Sequence, residues 1–355
     1  MNSLITTPSV RPPNTLTLAI TGFCNLTCAH CLVEAGGDRP APDVPLPYII
    51  SLLDESATLG VAGIRISGGE PLCHPGCLDV MRHARQKGFR TIALQTNAML
   101  LNDSHVTALR EIDGVELSIE VSLDGSRAET HDALRGTGAF EGTIKGIGRL
   151  INAGLAERIS IHFTETALNL EELPSLLALA DNFGIRSVTS GTVLRSGRAA
   201  AANSVFPPSL VQYQRLRDHY ETDERFRELY QKIGNVAVLE WQDATEQRAE
   251  CCTFVENPYI SALGTLYPCL LCHRDASSVG DVYTKGLAAA LAEGVPLWTS
   301  LLQLSCDRGE LAVCRDCPGK LICAGGCMGR AWGAFGDLLA PDDRCEVRRT
   351  VYSSR

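Results

Sequence analysis

An α/β fold built on a parallel sheet is predicted by three observations on this 355-residue chain. Short β-type runs alternate with stretches whose apolar residues recur at helical spacing, six times in succession. Residues able to do chemistry cluster just after those runs, where a right-handed, curled parallel sheet presents its functional loops. The C-terminal part breaks the rhythm and is rich in cysteine, which points to a second, smaller unit.

Taken in order, residues 1–14 are polar, carry three prolines and read as a tail. Leu16–Thr21 is the first strand. Gly36, Gly37 and four prolines between Pro40 and Pro47 make a surface loop. Helix Tyr48–Leu59, with Gly60 as its cap, leads to a buried strand, Val61–Ser67. Helix His74–Lys87 precedes strand Arg90–Gln95, and helix Asn102–Glu111 precedes strand Val115–Leu123. Helix Phe140–Ala153, strand Arg158–Thr164, helix Leu170–Phe183 and strand Ile185–Thr189 complete six βα units within residues 15–200. Pro207-Pro208 favours a helix start, so Val205–Tyr230 reads as a long polar helix and Val236–Trp241 as a strand. Residues 201–249 therefore bridge to a C-terminal unit, residues 250–355.

Composition bounds the function. Hydrophobic residues at 45% and charged residues at 21% are ordinary globular values. A net charge of −9 argues against a nucleic-acid surface, which would be basic. No run of about 18 apolar residues is present to span a membrane. The N-terminus lacks the basic and apolar regions of a signal peptide, so a cytoplasmic location is expected. In a reducing cytosol the 15 cysteines should be metal ligands or reactive thiols rather than disulfides.

The first group is Cys24-Asn-Leu-Thr-Cys28-Ala-His-Cys31. Three thiols cannot complete a tetrahedral zinc site, and C-x3-C-x2-C is not a thioredoxin-type pair. They do suit a [4Fe–4S] cluster with one iron left open for a ligand. This spacing resembles the signature of the radical S-adenosylmethionine (radical SAM) enzymes. The resemblance implies that the open iron chelates S-adenosylmethionine and splits it to a 5′-deoxyadenosyl radical. His30 stands where that family usually has an aromatic side chain. The fold it implies is a partial (βα)6 TIM-like barrel.

Further motifs follow strands in the same way. Gly68-Gly69-Glu70-Pro71 ends the second strand; two glycines let backbone approach closely, and a carboxylate can face an ammonium. It is similar to the family motif that clamps the methionine amino group. By the same resemblance Ser122 and Arg135 contact the methionine carboxylate, which suits an arginine fork. Thr96, Asn97, Asn169 and the Ser196-Gly197-Arg198-Ala199 turn are weaker candidates for the ribose and adenine. Cys73 and Cys77 stand just beyond Glu70 and could donate a hydrogen atom, or simply pack as small hydrophobes.

The second cysteine group is Cys252-x11-Gly264-x4-Cys269, then Cys314-x2-Cys317-x5-Cys323-x3-Cys327, then Cys345. A zinc ribbon would leave several of these thiols idle. The pattern resembles the SPASM extension, named for subtilosin, pyrroloquinoline quinone, anaerobic sulfatase and mycofactocin maturation. That resemblance implies two auxiliary [4Fe–4S] clusters and three in all. Cys314, Cys317, Cys323 and Cys345 would hold one, and Cys252, Cys269 and Cys327 the other. Its fourth ligand is open among Cys251, Cys272, Cys306 or none.

Departures from the family bear on substrate. Sulfatase-maturing members have an aspartate base where this chain has Leu270; Cys272, His273 or Asp275 are possible substitutes. The first strand begins near residue 15, so no fused leader-peptide domain is expected, and a separate leader-binding protein is one possible partner. The resemblance implies an oxidoreductase that abstracts hydrogen from an unactivated carbon, first of all in maturing a ribosomally made peptide. A dehydrogenase or epimerase of a small metabolite, such as an antibiotic sugar or cyclitol, is the alternative. An epimerase would use Cys73, Cys77 or Cys272 as hydrogen donor. A non-catalytic iron–sulfur carrier is the third reading, and it would need neither Glu70 nor an open iron. A reductant such as flavodoxin or ferredoxin is implied throughout.

Overall fold

The computed structural model describes residues 12–37, 42–202, 204–247 and 254–354. Six strands lie side by side in chain order, all parallel: β1 (Thr15–Ala19), β2 (Gly63–Ser67), β3 (Thr91–Thr96), β4 (Glu116–Ser122), β5 (Ile159–Glu165) and β6 (Ser187–Thr192). Helices α1 (Leu46–Thr58), α2 (Cys77–Gln86) and α3 (Asp103–Arg110) make the first crossovers. Between β4 and β5 run two helices, α4 (Ala128–Arg135) and α5 (Ala139–Asn152), and α6 (Leu173–Asn182) precedes β6. The sequence reading anticipated only α5 in that interval.

Three short strands extend the sheet: β7 (Gly234–Asn235) beside β6, and β8 (Tyr259–Ile260) and β9 (Leu266–Tyr267) beyond β1. The order runs from β7 through β6 to β1 and on to β9, so the described strands form one open sheet. A period of two along each strand separates the two faces. Ile64, Ile66, Ile92, Leu94, Ile119, Val121, Ile161 and Phe163 are fully or almost fully buried in the core. The intervening Arg65, Ser67, Gln95, Glu120, Ser122 and His162 share the opposite, polar face. A slip of one residue would exchange these two sets, so register is strongly specified.

Two expectations are corrected. The long helix is two: Leu210–Thr222, with a Ser209/Gln212 capping box, and Glu224–Ile233, restarted by the Asp223 carboxylate accepting from the Phe226 amide at 2.8 Å. The strand expected at Val236–Trp241 is instead a helix, Ala237–Asp243.

By length and composition Leu287–Glu310 is apolar enough to cross a membrane. Here helix Leu287–Asp307 buries Trp298 completely, with Nε1 donating to the Ser277 carbonyl at 2.9 Å. Its N-terminal amides at Leu287 and Ala288 donate to Glu55 of α1 at 2.7 and 2.8 Å. An anion at a helix N-terminus is favourable, and here it ties the two regions together.

Candidate active site

β1 delivers the chain into the loop that carries Cys24, Cys28 and Cys31. The motif after β2 braces that loop from below: Gly69 N donates to Thr21 O at 2.8 Å and Glu70 N to Phe23 O at 2.7 Å. A Cβ on Gly69 would stand 1.9 Å from the Phe23 carbonyl oxygen, and Gly68 has φ +141°. These glycines are therefore required for chain-against-chain contact.

Arg198, from the weaker turn candidate, braces the other side. Its Nε donates to Cys28 O at 2.8 Å and its Nη2 to Ala35 O at 2.6 Å. Gly197 (φ +56°) lets that turn pack on the Cys31 and Leu32 carbonyls.

Cys24, Cys28 and Cys31 line one cavity of about 180 Å³ together with His30, Gly69, Glu70, Thr96, Asn97, Ser122, Arg135 and Arg198. Its sheet side is polar, with Ser67, Gln95, Glu120 and His162. Glu120 is fixed by Arg65 (Nη2 at 3.1 Å) and by Gln95 Nε2 at 2.9 Å.

Glu70 is almost wholly buried, and burial pushes its carboxyl up against the hydrogen bonds it accepts. Oε1 accepts from Leu72 N at 3.2 Å and Thr96 Oγ1 at 2.7 Å, and Oε2 from Asn97 N at 2.7 Å. A carboxylate offers about four lone-pair sites, so Oε2 retains one for a further donor.

Sequence reasoning missed Asp124, which follows β4 and is fully buried. Its Oδ2 accepts from Arg135 Nε at 2.6 Å and lies 3.3 Å from His30 Nε2, while Oδ1 accepts from Thr164 N at 2.7 Å. Burial alone would raise its pKa, but Arg135, His30 and the Thr164 amide outweigh it and hold it at about 2. Burial takes His30 down to about 4, so its contact with Asp124 is a neutral N–H donation; Arg135 already matches the carboxylate charge. Arg135 ends α4, and its Nη1 stands 3.9 Å from Cys28 Sγ. Asn169 uses its side chain on Thr166 N and on the Asp124 and Thr164 carbonyls, so it shapes this loop instead of facing the cavity.

The donor set fits an iron–sulfur cluster. Burial, with nearby Glu70 and the other two thiols, pushes Cys24 up to about 12 despite the Leu26 amide. Three thiolates can share this loop only beside a compensating cation, and a cluster supplies one. Among the described residues no three His, Cys, Asp or Glu groups converge as ligands of a single ion. Cubane corners stand farther apart than the ligands of one ion, and such clusters are held by cysteine thiolates.

The C-terminal cysteines are described in part. Cys314, Cys317, Cys323 and Cys345 line one small cavity of about 20 Å³, beside Lys320 and Arg348. Cys327 precedes helix Met328–Phe335, whose Gly329 packs on the Leu271 carbonyl just after Cys269. Cys251 and Cys252 lie outside the described residues. Cys272 and Cys77 are buried in the main core, and neither they nor Cys73 line the 180 Å³ cavity.

Comparison with known proteins shows the family. Residues 18–193 match the model of the Radical SAM superfamily. An AdoMet-dependent heme synthase of Methanosarcina barkeri (strain Fusaro / DSM 804) is 30% identical over 95% of this chain and 97% of that protein. The chain belongs to the radical SAM superfamily. The mycofactocin maturase MftC of Mycobacterium ulcerans (strain Agy99) is 28% identical over 94% of this chain and 88% of that protein. The structure of native anSMEcpe with bound AdoMet shares the fold at TM-score 0.75 and 15% identity, covering 96% of both chains. That of Streptococcus suis SuiB bound to S-adenosylmethionine gives TM-score 0.69 at 18% identity, over 94% of this chain and 77% of that one. The radical SAM barrel thus continues into a SPASM-type C-terminal extension.

Proposed function

We propose that this radical SAM protein is a cytoplasmic oxidoreductase that abstracts hydrogen from an unactivated carbon of a ribosomally made peptide, leaving a cross-link or other oxidative change. The observation that carries the radical step is the shared cavity, where three thiols on one loop face Glu70, Ser122 and Arg135. Cys24, Cys28 and Cys31 would hold a [4Fe–4S] cluster with one iron open. When bound there, the cluster and S-adenosylmethionine supply a 5′-deoxyadenosyl radical. Arg135 and Ser122 receive the methionine carboxylate. The spare lone pair of Glu70 Oε2 receives an N–H of the amino group. The two C-terminal groups, Cys314/Cys317/Cys323/Cys345 and Cys252/Cys269/Cys327, would hold auxiliary clusters, whose chemistry would be to provide an electron acceptor for the oxidation. Flavodoxin or ferredoxin would supply the reducing electron, and the leader peptide would be recognised by a separate protein or by the barrel itself.

The peptide class is supported by the likeness to mycofactocin maturases at 26–28% identity. The 30% identity to a heme synthase over 97% of that protein favours a second reading, oxidation of a small metabolite. Reconstituted protein with S-adenosylmethionine and dithionite should return a precursor peptide encoded beside its gene two mass units lighter. A peptide left untouched, while a cellular metabolite extract yields a product lighter by the same amount, would transfer the proposal to the second reading.

A further inference from the structure

Every polar group of Asp124 is committed. Its amide donates to His131 Nδ1 at 3.0 Å, and its carbonyl accepts from Asn169 Nδ2 at 2.9 Å. Thr164 N holds Oδ1, which leaves Oδ2 aimed at Arg135 Nε and His30 Nε2. A carboxylate only accepts, so His30 donates a proton from Nε2 to Oδ2, which leaves Nδ1 as the other polar atom of the ring. That Nδ1 is buried and has no partner among the described residues, on a residue that lines the cavity. A buried polar atom without a partner is costly, and the ordinary explanation is a missing partner. Arg135 is held to Asp124 by Nε, and its Nη1 reaches Cys28 Sγ at 3.9 Å on the wall of the same cavity.

We propose that Asp124 is the positioning residue of the S-adenosylmethionine site. Through one oxygen it sets a guanidinium donor on Arg135 and the unpaired ring nitrogen of His30, Nδ1, in fixed register for the cofactor's carboxylate and for a second polar group of the cofactor. This rests on the radical SAM reading above and adds to it a hydrogen-bonding nitrogen that a phenyl ring at position 30 would lack. Asp124 touches no reacting atom; it acts through its two neighbours.

The test uses full-length reconstituted protein and S-adenosylmethionine itself as probe. Binding is read by equilibrium dialysis, and the reduced cluster by its electron paramagnetic resonance spectrum with and without the cofactor. His30→Phe keeps a ring and loses the hydrogen-bonding nitrogens. It should retain iron and the cofactor-free spectrum, but bind S-adenosylmethionine about 5- to 10-fold more weakly. His30→Gln, whose amide can hydrogen-bond in either sense, should recover most of that loss. Asp124→Asn puts an NH₂ against Arg135 or His30 and should weaken binding at least as much, with a diminished cofactor-induced spectral change. In the double variant Asp124→Asn/His30→Phe the two losses should not multiply, because one acts through the other.

Wild-type binding retained with His30→Phe overturns the proposal, as do losses that multiply in the double variant. Should Asp124→Asn fail to fold, the His30 pair decides the matter alone. Failure of the unaltered protein to bind the cofactor would instead strike the radical SAM reading itself.

Discussion

The two cysteine regions hold their thiols in opposite surroundings. Around Cys24, Cys28 and Cys31 the structure leaves about 180 Å³, lined by Glu70, Ser122, Arg135 and His30. Around Cys314, Cys317, Cys323 and Cys345 it leaves about 20 Å³, closed by Lys320, Arg348 and Tyr352. Three thiols beside a polar chamber leave a cluster position for a ligand. Four thiols in a closed cavity leave none, which suits a cluster that only passes electrons. Buried cations stand beside both, but their partners differ: Arg135 pairs with Asp124 in the chamber wall, and Arg348 with Asp342, which also holds the Cys327 amide at 2.9 Å.

The largest expected effects break the comparison region by region. Anaerobically reconstituted protein should contain about twelve irons, from three cubanes. Replacing Cys24, Cys28 and Cys31 together by Ala should remove about four and abolish 5′-deoxyadenosine formation. An iron content near four in the unaltered protein would sink the auxiliary clusters, and zinc in their place would do the same. Cys314→Ala or Cys345→Ala should spare the first cluster. With dithionite such variants should still cleave S-adenosylmethionine yet yield little modified substrate; normal yield would remove the C-terminal region from the electron path.

A smaller effect follows from the buried pair. On the sequence reading, Arg135→Ala costs only a cofactor contact, about 1.5 to 3 kcal/mol of binding. In the structure it also strands the Asp124 carboxylate in a fully buried place. Removing one partner of such a pair destabilises by about 3 to 5 kcal/mol. Denaturant unfolding of the cluster-free protein should therefore show a marked loss with Arg135→Ala, much of it recovered in Arg135→Ala/Asp124→Asn. Equal stability of Arg135→Ala and the unaltered chain would mean that the pair is not formed.

What the sequence revealed and what it hid have separate physical causes. The six strands announced themselves because their buried face is continuous and aliphatic, as in Ile64/Ile66 and Ile159/Ile161/Phe163. Spacing and resemblance together named ten candidate ligand cysteines, and of these the structure gathers Cys314, Cys317 and Cys323 with Cys345 around one cavity. Helix α4 was missed because Ala128–Arg135 is short and mostly polar. Asp124 was missed because its meaning depends on Arg135, 11 residues away, and on Thr164, 40 residues away. Val236–Trp241 has the composition of a strand, yet Trp241 lies within reach of the Arg344 and Arg348 guanidiniums, on a helix held by tertiary contacts. The Gly68-Gly69 pair was noticed for close approach, and the structure shows one such approach, to the backbone of Thr21 and Phe23.

The smallest expected effect concerns the thiols outside both cysteine regions. Cys77 is 2% exposed and belongs to the core, where burial pushes its thiol far up. Cys73 is half-buried in the turn after Glu70, and it too is pushed up by burial and by that carboxylate. Neither lines the radical chamber, so neither should return a hydrogen atom to a substrate radical. Cys73→Ala should leave product yield unchanged, and Cys77→Ala should cost about 1 kcal/mol of stability with no change in product. Net oxidation then requires a product two mass units lighter that acquires no deuterium at the altered carbon in deuterated water. A product of unchanged mass in ordinary water, heavier by one unit in deuterated water, would demand a thiol donor. Loss of that label in Cys73→Ala, Cys77→Ala or Cys272→Ala would then identify it, and the chamber would have to open toward that residue during turnover.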